Sequence, residues 1–320
     1  MKKTILTFCC LLLLTGCLPL QGRSLLQEGS YEQGLSLAKQ AVAQDPHDPE
    51  ANYYAARFLL ATDRPKEALP FIQKAATLDP GEAEYHFWLG VTHWALFDFD
   101  AERAEYLRAV NLDPDHISAH LYLGHSHLDA GEWRAALREY DTVLELRERE
   151  PGAMYNRAVA LDRLGREQEA RSALLDFMLA YPDGDMAISA VEQLNAYGDF
   201  SYRNFILGKR TVPLRAISFE PGTSRLGFDV RSSLDVLGAM LENNQALHVH
   251  IVAYADKDAP LARMRAERVQ RYITIHFPKV SAKRLLLSWF GRGEVVHTSE
   301  WDYRLPESVN LITEAHERPQ

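Results

Sequence analysis

Among the side chains able to hold a metal or move a proton, the histidines show the clearest order. His86 and His93 recur as His120 and His127, 34 residues further on and seven apart within each set. Helical metal ligands use an i, i+4 pairing instead. Cysteine is confined to Cys9, Cys10 and Cys17, so none is at hand to complete a site. These histidines therefore read as packing residues, with no metal expected. His248 and His250 share one strand face and read as surface groups. The chain has no glycine-rich phosphate loop, no G-x-S-x-G elbow and no H-E-x-x-H. With no convergent acid, base or nucleophile, it reads as a non-enzyme without a cofactor. Its formal charge of −9 over 320 residues argues against nucleic acid as a partner.

The histidines ride on a repeat. Pro46, Pro80 and Pro114 stand 34 residues apart, and Pro182 falls two periods later. Ala75 to Pro80 (AATLDP) matches Ala109 to Pro114 (AVNLDP). Leu89-Gly90, Leu123-Gly124 and Arg157-Ala158 keep the same step, preceded by Ala55-Ala56. Asp63, Phe97, Gly131 and Gly165 mark the turns. Ala68, Ala136 and Ala170 hold a small position that Glu102 breaks. A fixed period of this length marks helical units that cannot bury their apolar faces alone. The pattern resembles the tetratricopeptide repeat (TPR). That implies an all-α solenoid over residues 31–198, with repeats at about 49–82, 83–116, 117–150 and 151–184 after a leading half repeat. The stripe Ala187, Ala190, Val191 and Leu194 predicts a closing helix over the last repeat.

The N-terminus reads as an address. Lys2 and Lys3 precede an apolar run from Ile5 to Leu14, too short to cross a bilayer. Leu14-Thr15-Gly16-Cys17 looks like a bacterial lipobox. The resemblance implies a lipoprotein signal peptide at 1–16 and lipidation of Cys17; residues 17–30 read as a tether, with a first helix over 18–28 as the other reading. Losing Lys2 and Lys3 with the leader would move the charge from −9 to −11. Leu18 follows the cysteine where an Asp commonly marks inner-membrane retention, which implies a periplasm-facing protein lipid-anchored in the outer membrane.

Beyond Pro213 the pattern changes. Arg215 to Glu220 alternates as a short strand, Phe228 to Asn243 is an amphipathic helix, and Ala246 to Tyr254 alternates again. Pro260 to His276 reads as a second helix, and Leu285–Phe290 and Val309–Thr313 as two more strands. The order β-α-β-α-β-β predicts a small α+β domain over 199–316, with 317–320 a tail. Residues 217–226 (ISFEPGTSRL), Ala253-Tyr254-Ala255-Asp256, Leu261 to Val269 and Gly291-Arg292-Gly293-Glu294 resemble the OmpA-like, peptidoglycan-associated domain. The resemblance implies that Asp256 holds the ammonium and Arg265 the carboxylate of diaminopimelate in the peptidoglycan stem peptide. A guanidinium can take a carboxylate bidentately. The connection after Asp256 is short, only Lys257 to Pro260.

Laid on the TPR pattern, the first helices place Tyr53, Arg57, Leu60, Phe87, Val91, Trp94, Leu121, His125, Leu128, Tyr155, Val159 and Asp162 in the partner groove. An aromatic, apolar strip suits an amphipathic helix or extended peptide. The whole reads as a multidomain scaffold: a TPR solenoid for a protein partner, fixed to the wall by the OmpA-like domain, accessory to a pilus, secretion or export assembly. The rival is a pilotin-like lipoprotein whose last domain has lost its ligand and serves to dock protein.

Overall fold

The computed structural model describes residues 18–298 and 301–313. The expected signal peptide, Cys17 and the tail at 317–320 lie outside them. The chain divides into two compact units, Met1–Leu164 and Gly165–Gln320.

The first unit is helical throughout its described length. Helices α1 (Leu18–Gln27) and α2 (Tyr31–Gln44) lead into three helix pairs and a further helix. The pairs are α3 (Pro49–Ala61) with α4 (Pro65–Leu78), α5 (Ala83–Ala95) with α6 (Phe99–Leu112), and α7 (Ile117–Asp129) with α8 (Trp133–Leu146); α9 is Pro151–Arg163. Of the two readings of this segment, tether or first helix, the structure has the helix over Leu18–Gln27. Leu18 is buried, and Gly22 lies so close to Tyr54 that α1 packs on α3. Proline fits the first turns of α3, α4 and α9 because no partner is needed there for the missing N–H. The Asp48 carboxylate caps α3, accepting from the N–H groups of Glu50 and Ala51.

The repeated glycines and tyrosines explain each other. A Cβ on Gly90 would meet Tyr106 at 2.5 Å, and one on Gly124 would meet Tyr140 at 2.7 Å. Both tyrosines are wholly buried. The large residue of each second helix fills the notch left in the first. The histidines and prolines are coupled in the same way. His86 bonds Glu105 (2.6 Å) and the Pro80 carbonyl (3.2 Å), and His120 bonds Glu139 (2.7 Å) and the Pro114 carbonyl (2.9 Å). Asn52 does the same one period earlier, donating to the Pro46 carbonyl at 3.3 Å. Each ring or amide holds the last carbonyls before its own helix begins.

The second unit begins with α10 (Glu167–Ala180) and α11 (Asp185–Ala196). The predicted stripe of α11, Ala187, Ala190, Val191 and Leu194, is buried, and the helix packs on the hairpin β1 (Tyr202–Leu207) and β2 (Arg210–Arg215). Then come α12 (Arg231–Asn243), β3 (Val249–Ala255), α13 (Ala259–His276), β4 (Leu285–Phe290), β5 (Glu294–His297), β6 (Asp302–Leu305) and β7 (Glu307–Thr313). Strand β3 pairs parallel with β4 and antiparallel with β7, while β5 and β6 form a hairpin. Val249, Ile251 and Ala253 of β3 meet Leu234, Leu237 and Leu241 of α12 and Ala262, Ala266 and Val269 of α13 in one core.

Two expectations for this unit are corrected. Alternation predicted a strand at 215–220, but the strands are β1 and β2, which begin in the segment 199–212 whose sequence reads as a linker or a first strand. Between Ala216 and Leu226 the chain forms only the isolated bridge Phe219↔Leu226. Gly208 turns the hairpin at a φ of 69°, and Pro213 is accommodated because, among the described residues, β2 pairs with β1 alone. The β5–β6 hairpin was not expected. The order is therefore β-β-α-β-α-β-β-β-β, not β-α-β-α-β-β.

Candidate functional site

In the first unit the expected strip resolves into a polar knot and an apolar run. Glu84 organises the knot. Its Oε1 accepts from the Tyr53 hydroxyl and the Trp88 indole N–H, both at 2.9 Å, and lies 3.6 Å from Arg57; its Oε2 is 3.2 Å from His116. Arg57 also donates to the Tyr53 hydroxyl, and its guanidinium lies 3.5 Å from the centre of the Trp88 ring. Burial pushes the Glu84 carboxyl up, but the bonds from His116, Trp88 and Tyr53 and the charge of Arg57 outweigh it and hold the pKa at about 2. The bond to Glu84 raises His116 in return, against burial.

Tyr53 and Phe87 are corrections. They are buried at 8% and 5% exposure. Tyr53 packs on Tyr54 and Tyr85, and Phe87 on Trp88, Tyr106, His116 and Tyr122. At these two positions the ring is drawn into the seam between repeats, where more apolar surface leaves water. Arg57, Leu60, Val91, Leu121, His125, Leu128, Tyr155, Val159 and Asp162 are half-buried, and Trp94 is exposed. Trp88 and Tyr122 were missed; Tyr122 is exposed, and Trp88 is half-buried under Arg57. Tyr53 reaches Glu84 and His125 reaches Asn156 across the same 31-residue step, which joins neighbouring first helices. That step was readable once the period was known.

In the second unit Arg265 is 1% exposed. The Nε–H donates to the Thr223 carbonyl at 3.0 Å, Nη1 meets Glu307 at 2.8 Å, and the Phe219 ring lies 4.9 Å away. Nη2 has no hydrogen-bond partner among the described residues. The side chain lines a cavity of about 220 Å³ shared with Arg203, Phe219, Glu307 and Ser308. Asp256, at the end of β3, accepts from Arg304 at 2.9 Å, while its backbone N–H donates to the Pro306 carbonyl at 2.8 Å. Asp258 caps α13 through the Leu261 N–H. The two expected ligand-binding residues are thus not joined to each other. Each already has a partner, Arg304 and Glu307, which sequence reasoning missed. The hint was two opposite charges flanking Pro306. Glu294 is buried in a two-bond pair with Arg203, joined by Asn310, and ties β1, β5 and β7 together.

Among the described residues no group of three or more His, Cys, Asp or Glu could hold a metal, and no helix is long and apolar enough to cross a membrane.

Residues 25–87, 83–116 and 121–184 match models of the tetratricopeptide repeat. A 67-residue stretch is 37% identical to the TPR repeat-containing protein YpiA of Bacillus subtilis (strain 168), covering 21% of this chain and only 16% of that protein. The fold is similar to that of pilF of Pseudomonas aeruginosa, with 19% identity, a TM-score of 0.53, and coverage of 58% of this chain and 85% of that one. YrrB, described as a TPR protein with an unusual peptide-binding site, aligns at 22% identity and a TM-score of 0.46 over 53% of this chain and 87% of its own. The helical part, about 190 residues, is a TPR solenoid, followed by a small strand-containing region.

Proposed function

We propose that this chain is a non-enzymatic TPR scaffold of the cell envelope, lipid-anchored to the outer membrane through Cys17 and attached to peptidoglycan through Asp256 and Arg265. The solenoid holds a protein partner, an amphipathic helix or extended peptide, along Leu60, Val91, Trp94, Leu121, Leu128 and Val159. A scaffold so placed would serve an envelope assembly of the pilus, secretion or export kind. One observation carries the wall-binding part: a guanidinium 1% exposed, with its Nη2 buried and unpartnered, on a side chain that lines a cavity of about 220 Å³. A buried cation with a spare donor pair is suited to a carboxylate. The test is co-sedimentation with insoluble peptidoglycan. Binding that is lost in both Asp256→Ala and Arg265→Ala supports the wall anchor. Binding indifferent to both substitutions places any wall contact elsewhere.

A second reading has an observation of its own. Asp256 and Arg265 are already engaged by Arg304 and Glu307, as they would be in a domain that has given up its ligand and docks protein, in the manner of a pilotin. A partner captured by the solenoid, with no sedimentation by any form of the chain, would favour it.

A further inference from the structure

We propose that Arg304 and Glu307 form a built-in surrogate of the ligand, a latch that an incoming molecule must displace. The inference rests on the wall-binding reading of Asp256 and Arg265. Arg304 near the end of β6 gives its guanidinium to Asp256 at 2.9 Å, and Glu307 at the start of β7 gives its carboxylate to Arg265 at 2.8 Å. Only Leu305 and Pro306 separate them. One short connection therefore presents a cation to the site's anion and an anion to the site's cation, the two charges that a ligand with an ammonium and a carboxylate would bring. Its backbone is held in place. The Pro306 carbonyl accepts from the Asp256 N–H, and the proline ring fixes its own φ. Gly293 lets the connection lie close, since a Cβ there would stand 2.7 Å from the Leu305 carbonyl.

The burial of the four groups says which can move. The Arg265 side chain is 1% exposed, Glu307 47% and Arg304 65%. The latch residues can swing into water, while Arg265 cannot leave. If Glu307 departs with nothing in its place, a buried guanidinium is stranded, which is costly. The latch therefore opens to a ligand that carries its own carboxylate. Glu307 meets only Nη1, and Nη2 is buried and unpartnered on a side chain that lines the cavity, so it is reached only once Glu307 moves aside. A ligand carboxylate spanning both nitrogens gains a bidentate grip that the latch lacks. Arg304 and Glu307 thereby set specificity: a lone cation or a lone anion displaces only half of the latch and leaves the other half closed, whereas a ligand carrying both charges displaces it whole.

The test is co-sedimentation of the purified protein with insoluble peptidoglycan, comparing wild type, Arg304→Ala, Glu307→Gln and the double variant, each with and without Arg265→Ala. Thermal melts accompany every form, and Arg304→Ala, altering the most exposed of the four groups, guards against a Glu307 variant that misfolds. The bound-to-free ratio should rise about threefold in Arg304→Ala and about tenfold in Glu307→Gln, all of it lost when Arg265 is removed. Wild-type binding that depends on Arg265 and does not rise in the folded variants overturns the latch and leaves wall binding standing. If neither wild type nor any opened variant sediments, wall binding is wrong and the latch falls with it.

Discussion

Glu84 shows how much one carboxylate can organise. Its folded pKa is depressed to about 2 from 4.5, so its stabilisation is present above pH 4.5 and lost as pH falls toward 2. His116 runs the other way. Raised above 6.5, it stabilises below pH 6.5, and that contribution is lost as pH rises through its folded value. Glu84→Gln should cost about 1–2 kcal/mol at pH 6, a figure discounted because the side chain is 40% exposed. Urea titrations should show the difference from wild type shrinking between pH 4.5 and 2. Glu102 makes the opposite case. Burial first, then the nearby Asp129, pushes its carboxyl up to about 7 from 4.5, so its ionised form works against folding as pH rises. Glu102→Gln should stabilise the chain by about 1–3 kcal/mol at pH 8 and by little at pH 4. A Glu102→Gln protein no more stable than wild type at pH 8 would mean the carboxyl reaches water. Sequence had flagged Glu102 only as a break in the small-residue pattern.

The helix pair is the scale at which the repeat makes sense. Alanine is the better residue in an isolated helix, yet Gly90→Ala should destabilise by about 1–3 kcal/mol. The added Cβ would meet the buried Tyr106 ring, and a folding-stability measurement decides whether packing outweighs propensity. The turn between α5 and α6 tests the converse. Phe97 is in the left-handed region at a φ of 62° and 79% exposed, while Gly131 turns the next pair. Phe97→Gly should stabilise by about 1 kcal/mol, seen as a higher melting temperature, since a large side chain is strained there and buries little. In the second unit the strands taught the opposite lesson. Alternation at Arg215 to Glu220 looked like a strand, but Tyr202–Leu207 and Arg210–Arg215 had the better partners in each other.

At the scale of the whole molecule, one substitution separates the lipid anchor from the fold. Cys17→Ser should move the protein from the membrane fraction to the soluble fraction of cells, with the solenoid still folded by circular dichroism. A protein that stays with the membrane would remove the lipid anchor from the account. The period of 34 was enough to place the helix pairs, their turns and the closing helix. Repeats contact mainly their neighbours, so a local pattern carries most of the fold. The same pattern could not say which first-helix rings face outward. Tyr53 and Phe87 sit in register with the half-buried Leu121 and Tyr155 and differ in what the adjacent repeat presents to them. Asp256 and Arg265 were likewise legible as residues able to grip an amphoteric ligand. That Arg304 and Glu307 already stand in that grip was decided by the turn at Pro306, which brings two charges across some fifty residues of chain to groups on β3 and α13. Periodicity and residue type are written along the chain; which charge meets which is settled only when strands distant in sequence are brought side by side.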